Sequence, residues 1–548
     1  MINKFKMAIA VVMIAVSLVA FKPNEHYFEI AKNLEIFATL YKEVNRYYVD
    51  DVNPTTLINS GIESMLSTLD PYTNYIPEDQ IEDYRTMTTG EYGGIGSMIS
   101  SREGKIIVVM PNENYPAHKA GLLIGDEILE IDGVVVTGKD VEDISKLLKG
   151  QANTPIKLKI RRIDKDKPFE VNLQREKIRI NNVPYSGMVS QDIGLIQLSD
   201  FTRDASREVK NALNELKEKG AKKIILDLRG NPGGLLSEAI NIANLFLPKG
   251  VEIVSTKGKI TEWNKSHESL NQPADLEIPI AVLVNNHSAS ASEIVSGVIQ
   301  DYDRGVLIGK RTFGKGLVQA TRPLSYNSKL KVTVAKYYIP SGRCIQEIDY
   351  SVRNPDGSPA KLPDSLRNEF KTKNGRPVYD GGGITPDIIV EDKKLSSLTV
   401  ALLEKWLIFD YATEYRSKTP QISSLKEFKL TDKDYDSFVK WLKTKQYDYV
   451  TPTEKTLNEL IETSKKENTY AHLQDEINLL KEKISKEKEN DFIKYKDEIL
   501  HLLSEEIISR YYWQKGKFEA SFQHDSEVKE AISLLNDKEK YQKILSNK

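Results

Sequence analysis

Apolar positions change period several times along the chain, and each change marks a different kind of element. Over residues 24–88, Ile30, Leu34, Phe37, Ala38 and Tyr41 fall on one face of a helix, and Leu57, Ile58, Ile62, Met65, Leu66 and Leu69 on one face of another. The turn Asp70-Pro71 predicts the end of the second helix. From 91 onward the runs shorten: a strand over 106–110, an apolar run over 134–136, an amphipathic helix over 141–148 and a strand over 156–162. Nearly continuous apolar runs at 194–198, 223–228 and 278–285 read as strands buried on both faces. Helical patterns at 206–217, 235–247 and 294–302 alternate with them, which predicts an α/β layer. Beyond Ser396 the chain reads as helix again. Residues 455–548 are rich in Lys and Glu, with Leu473, Ile477, Leu480 and Ile484 at helical spacing. The heptads are too short-lived for a coiled coil, so ordinary helical packing is expected there.

Composition narrows the classes. At 548 residues there is room for several domains, and a net charge of −2 gives no global field favouring nucleic acid or anionic lipid. Lys4 and Lys6 precede a 15-residue apolar stretch, Met7 to Phe21, which predicts an export signal over 1–22. Leu18 spoils the small-x-small pattern before Ala20, so an uncleaved membrane anchor is the other reading. Cys344 is the only cysteine, which excludes an intrachain disulfide. The seven histidines show no clustered ligand spacing, so neither a metal nor another cofactor is expected.

Candidate chemistry concentrates between 278 and 319. Ser288, Ser290 and Ser292 alternate with alanine between a buried strand and a helix N-terminus. Free N–H groups of a first helical turn suit a nucleophile's developing oxyanion. Ser290 and Glu293 also fit an ordinary capping box, the reading that the local pattern alone favours and that the lysine segment further on changes. Phe313-Gly-Lys-Gly316 sets one lysine between two glycines, a setting a general base needs and a surface lysine does not. Gln319 shares a face with Lys315 if 315–319 is extended. Asp227-Leu-Arg-Gly-Asn-Pro-Gly-Gly234 is a glycine-rich turn between a strand and a helix, able to present N–H groups to an anion. His287 sits too close to Ser290 on one tight turn to serve as its base.

Together, Ser-Ala-Ser-Ala-Ser-Glu-Ile and Thr-Phe-Gly-Lys-Gly-Leu-Val-Gln resemble the carboxyl-terminal processing, or tail-specific, proteases. The resemblance extends over about 30–395 and implies Ser290 as nucleophile, Lys315, 25 positions later, as general base and Gln319 as its support. It places the oxyanion hole at the Gly233 and Ala291 amides, with Gly234 as alternate, and makes Asp227 and Arg229 a structural ion pair. Residues 91–175 look like a PDZ domain, which adds a peptide C-terminus as a strand. Its carboxylate loop would be Gly93, Gly94, Ile95 and Gly96, with Met98 at the pocket and Val141, Ile144 and Leu148 facing it. His287 is a departure, since the family commonly has glycine there.

The implied fold is multidomain α/β. An N-terminal helical region (24–90) precedes the PDZ domain and a mixed α/β, crotonase-like Ser-Lys protease core (184–395), and a helical extension (396–548) follows. The implied function is an exported serine endopeptidase, periplasmic or on the outer face of the inner membrane. Its expected partners are extracytoplasmic proteins with exposed apolar C-termini, with the extension available for an adaptor or self-association. The other class is a non-catalytic PDZ scaffold, which would lack the dyad.

Overall fold

The computed structural model describes residues 25–354, 358–361, 363–391, 393–425 and 427–546, so the expected export signal lies outside it. The chain divides into two units, 1–78 with 319–333, and 79–318 with 334–548.

In the first unit, helices Glu25–Tyr47 and Pro54–Ser67 follow the two apolar patterns. Asn53 caps the second helix through its Oδ1, which accepts from the Thr56 N–H. The Asp-Pro turn closes on itself: Asp70 Oδ1 accepts from Tyr72 and Thr73 N–H, each at 2.8 Å, and its Oδ2 accepts from the Thr73 hydroxyl. Strand Asn74–Ile76 then pairs antiparallel with 329–331 of a hairpin.

The second unit begins with helix Ile81–Thr89, which stops at Gly90 in the left-handed region, φ 69°. A sheet follows in the order Ser97–Arg102, Lys105–Pro111, Glu127–Ile131, Pro155–Arg161 and Phe169–Gln174, with Val134–Val135 paired to the third strand. The helix Val141–Leu148 lies against Ser97–Arg102 at the sheet edge. Ile95, Ile106, Val108, Ile128, Ile144, Leu148 and Leu158 form the core of this domain. Glu91–Gly94 pairs with Glu176–Arg179, so the ladder closing the domain runs past residue 175.

A second sheet carries the chemistry. Its order is Tyr185–Met188, Ile193–Gln197, Lys223–Asp227, Ile280–Val284, Val306–Gly309 and Ile388–Ile389. The first pair is antiparallel and the rest parallel, as strand–helix alternation requires. Helices Ala205–Glu218, Leu236–Asn244 and Ala291–Asp301 cover one face.

The other face is covered by the C-terminal helices. Phe522, and Val528, Ala531, Leu534 and Leu535 of helix Ser526–Asn536, pack on Leu195, Ile225, Leu283 and Ile308. Each buried Phe, Val, Leu or Ile side chain among these contributes about 1.5–3 kcal/mol. Tyr541 bonds through its hydroxyl to both the N–H and the carbonyl of Ile280. The last helices are thus a layer of this second sheet, not a separate appendage. The rest of the extension forms its own helical core around Leu402, Phe438 and Leu503, and helices Pro452–Lys466 and Tyr470–Glu489 pair through Leu457, Ile461 and Ile477. Asp410 reaches the PDZ strand through a 2.7 Å ion pair with Arg102, and Trp513 packs edge-on to His118.

Candidate active site

Strand Ile280–Val284 ends in a tight loop that delivers Ser290 to the head of the helix Ala291–Asp301. The three serines divide the work. Ser288 and Ser292 are fully buried, and their hydroxyls donate to the Leu228 and Asn231 carbonyls at 2.8 and 2.9 Å. The Ala289 N–H adds a third bond, to the Asn231 carbonyl. Both flanking serines therefore stitch this loop to the glycine-rich turn, and Ser290 between them stays partly exposed. Ser290 has φ 55° and ψ −112°, a strained backbone for a residue with a Cβ. Such strain persists only where the surroundings over-determine it, and here they do.

Glu293 is the main constraint. Its carboxylate has no solvent exposure and accepts four hydrogen bonds. Oε2 takes the N–H of Ser290 at 2.8 Å and of Lys315 at 2.9 Å, while Oε1 takes the Gly314 N–H at 2.7 Å and the Thr312 hydroxyl at 2.6 Å. Burial pushes this carboxyl up to about 7 against the pull of those four donors. Ser290 and Glu293 form the capping box at the head of this helix, and the same carboxylate gathers the lysine segment. Tyr337, buried, completes the frame from the other side, its hydroxyl lying 2.6 Å from the Lys315 carbonyl and 3.2 Å from that of Ser290. Sequence reasoning gave Tyr337 no role and Glu293 only a capping role. The Glu at Ser290 + 3 was the available signal; nothing local marks Tyr337.

The glycines around Lys315 have a packing reason. A Cβ on Gly314 would meet Glu347 Cβ at 2.6 Å, and one on Gly316 would meet Gln346 N at 2.8 Å. The Gly316 N–H donates to Gln346 Oε1. Lys315 is partly buried, whereas Phe313 is 43 % exposed. The loop around Ile384 holds the segment: the Ile384 N–H donates to Thr312 Oγ1 and the Thr312 N–H to the Ile384 carbonyl. In the first unit, Gln319 donates from Nε2 to Thr333 Oγ1 at 3.3 Å. His287 is exposed, and its N–H donates to Asn285 Oδ1.

The glycine-rich turn lies against the serine. A Cβ on Gly233, which has φ 98°, would sit 2.9 Å from Ser290 Cβ and 2.9 Å from the Ala291 nitrogen. Only glycine fits that approach. The Gly233 N–H donates to Asn231 Oδ1 at 2.9 Å. Ala291 is the first helical residue, so its N–H has no acceptor within the helix. Asp227 and Arg229 form a two-point ion pair, Nε to Oδ1 at 2.9 Å and the second contact at 2.7 Å.

In the PDZ domain the loop from Gly93 to Gly96 is held from behind. The carbonyls of Gly93, Ile95 and Gly96 accept from Gly150, Ala117 and Asn112 N–H. Met98 is exposed on the edge strand. Ile95, Ile144 and Leu148 are buried in the domain core. Among the described residues no cluster of His, Cys, Asp and Glu could hold a metal.

Three family models match: "Peptidase family S41" over 192–356, "PDZ domain" over 107–162 and "Probable PDZ-protease, C-terminal helical domain" over 398–535. A relative from Bartonella bacilliformis, named carboxy-terminal-processing protease, is 40 % identical over 58 % of this chain and 73 % of its own. One from Staphylococcus aureus, named "Probable CtpA-like serine protease", is 33 % identical over 67 % of each. Among solved structures, the photosystem II D1 C-terminal processing protease matches at 26 % identity, covering 65 % of this chain and 92 % of that one, with a TM-score of 0.36. The chain belongs to peptidase family S41, the carboxy-terminal-processing serine proteases, and carries a PDZ domain and a C-terminal helical domain beside its protease core.

Proposed function

We propose that Ser290 is the nucleophile and Lys315 its general base in the hydrolysis of peptide bonds. The observation that carries this reading is the shared anchorage of the two residues, Glu293 taking both their N–H groups and Tyr337 facing both their carbonyls. Lys315, in its neutral form, accepts the Ser290 proton as Oγ attacks the substrate carbonyl. The ammonium then protonates the leaving amine, and water, deprotonated by the same lysine, hydrolyses the acyl-enzyme. The Ala291 N–H and a glycine N–H of the 228–234 turn stabilise the tetrahedral oxyanion. Gly233 must release Asn231 to serve there, and Gly234 is the alternate donor. The supporting role of Gln319 rests on its place in the motif.

The deciding experiment compares wild type with Ser290→Ala on an unfolded secreted protein bearing an apolar C-terminus. Cleavage by wild type and none by the variant is the expected result; equal cleavage would remove Ser290 from the mechanism.

The PDZ domain selects the substrate by its terminus. The edge strand Ser97–Arg102 is open to addition of a peptide strand, and the Gly93–Gly96 loop receives the carboxylate. Amidating the C-terminus, or ending it in Asp, should slow cleavage of a long substrate and leave a short peptide unaffected. Amidation removes the anion that the loop N–H groups are placed to bind, and a terminal Asp side chain loses water without gaining a partner. Cleavage rates of paired free and amidated substrates, with and without residues 91–175, check this. Equal sensitivity in both enzymes would show that the PDZ domain gates the site instead of reading the terminus.

The address is extracytoplasmic, from the 1–22 pattern, with the membrane as a partner if that segment is retained. Among the described residues no helix is long and apolar enough to cross a membrane.

A further inference from the structure

We propose that Asp525 and Glu527, at the start of the helix Ser526–Asn536, are positioning residues for the 228–234 turn and act on it through Arg229. The inference rests on the assignment of that turn to the oxyanion hole.

Arg229 stands between the end of the strand Lys223–Asp227 and the glycines that face Ser290. Its guanidinium is shared by three carboxylates. Asp227 takes Nε and one terminal nitrogen, and the other terminal nitrogen bonds Asp525 Oδ2 at 2.8 Å and Glu527 Oε2. The guanidinium side chain is 16 % exposed, and the Asp227, Asp525 and Glu527 side chains are 1 %, 19 % and 12 % exposed. Two of the three carboxylates come from a point almost 300 residues later in the chain.

Those two are themselves fixed. Asp525 Oδ1 caps its helix by accepting from the Glu527 and Val528 N–H groups, which leaves Oδ2 for Arg229. The helix behind it is seated in the sheet by Val528, Ala531, Leu534 and Leu535. Arg229 is therefore clamped between a rigid strand end and a rigid helix start. On its far side the turn is tied to the serine loop, through the Gly230 N–H to Asn285 Oδ1 at 3.0 Å and through Asn231 to Ser292 and Ala289.

Stability alone explains the cluster poorly. The Asp227 pair already satisfies the two-point geometry of the guanidinium, and the two extra buried carboxylates leave the group net anionic. Position explains it better. With Gly233 already at close contact with Ser290 and Ala291, a small rotation of Arg229 would carry the glycine N–H groups away from where the oxyanion forms.

The test uses the full chain, with Glu527→Gln, Asp525→Asn (which keeps a capping side chain), both together, and Glu527→Asp. Fluorophosphonate titration counts active serines, so that kcat is expressed per active site. KM is measured on a short peptide, and the Ki of a peptide aldehyde reports on the tetrahedral oxyanion. In the double variant kcat per site should fall about 10- to 100-fold with KM within about twofold, and the aldehyde Ki should weaken in parallel. Glu527→Asp should recover most of the loss. Tyr541→Phe loosens the next helix, Lys538–Ser546, on the same sheet face away from Arg229, and should lower Tm while leaving kcat per site and Ki unchanged. If the double variant does not fold, Glu527→Gln alone is read in the same way. A folded variant with unchanged kcat per site and Ki overturns the proposal whatever its Tm. Gly233→Ala separates the two readings. If it spares aldehyde binding, the oxyanion assignment fails; if it weakens binding while the Asp525 and Glu527 variants do not, only the present inference fails.

Discussion

Lys315→Ala should leave a folded enzyme with almost no turnover. A serine hydroxyl ionises far above neutral pH, so attack by Ser290 depends on a positioned base, and such a base is worth about 10²–10⁴-fold. Lys315 is held where that base is needed by backbone bonds, its N–H to Glu293 and its carbonyl to Tyr337. Those bonds survive truncation of the side chain, so the variant should keep the wild-type Tm within a few degrees. His287→Gly is the matched control: the imidazole is exposed beside the loop, and its removal should leave the rate unchanged within about twofold. Steady-state rates on one peptide, alongside thermal melts, decide the matter. A dead His287 variant together with an active Lys315 variant would exchange the roles of the two residues.

Glu293→Gln should cost nearly as much, for a different reason. Each carboxylate oxygen of Glu293 accepts two donors. An amide in the same place turns an NH₂ toward one such pair, whichever way it is flipped, so two N–H or O–H groups lose their acceptor in a buried site. We expect kcat to fall about 100-fold or more, because Ser290 and Lys315 are no longer held by one group. A pH signature accompanies this. Burial raises the Glu293 carboxyl from 4.5 to about 7, so between those values the folded protein binds a proton that the unfolded chain has released. The stability it contributes is complete below about pH 4.5 and is lost as pH rises through about 7, to the extent of roughly 3 kcal/mol. Denaturant melts between pH 4.5 and 8 should show this slope in wild type and not in Glu293→Gln. The same slope in both would locate the titrating group elsewhere.

Local pattern was sufficient for most elements. The helix Val141–Leu148 falls where the 3.6-residue period places it, and the strands around 106–110, 194–198, 223–227 and 280–284 fall on the continuous or alternating apolar runs. These segments agree because burial of one stripe or of both faces leaves its period in the chain. The serine and lysine motifs were legible for a related reason. A serine at a strand-to-helix turn and a lysine flanked by glycines each place several constraints on neighbouring residues.

What stayed illegible depends on residues distant in sequence. Ile144 and Leu148 on the helix and Ile95 in the loop before the edge strand are buried in the domain core, and periodicity cannot tell a core from a groove. The Lys- and Glu-rich tail gave no sign that Val528, Leu534 and Tyr541 complete the protease sheet, because an amphipathic helix does not encode which face it will meet. The sequence by itself determined the strand–helix alternation and the motifs that carry Ser290 and Lys315, since each is written in contiguous residues. Tertiary structure alone decided that Glu293 and Tyr337 gather the serine and lysine segments, and that two carboxylates from the far end of the chain close on Arg229. Those are contacts between chemically ordinary residues, and only the packing that buries them together distinguishes them from any other Glu, Tyr or Asp.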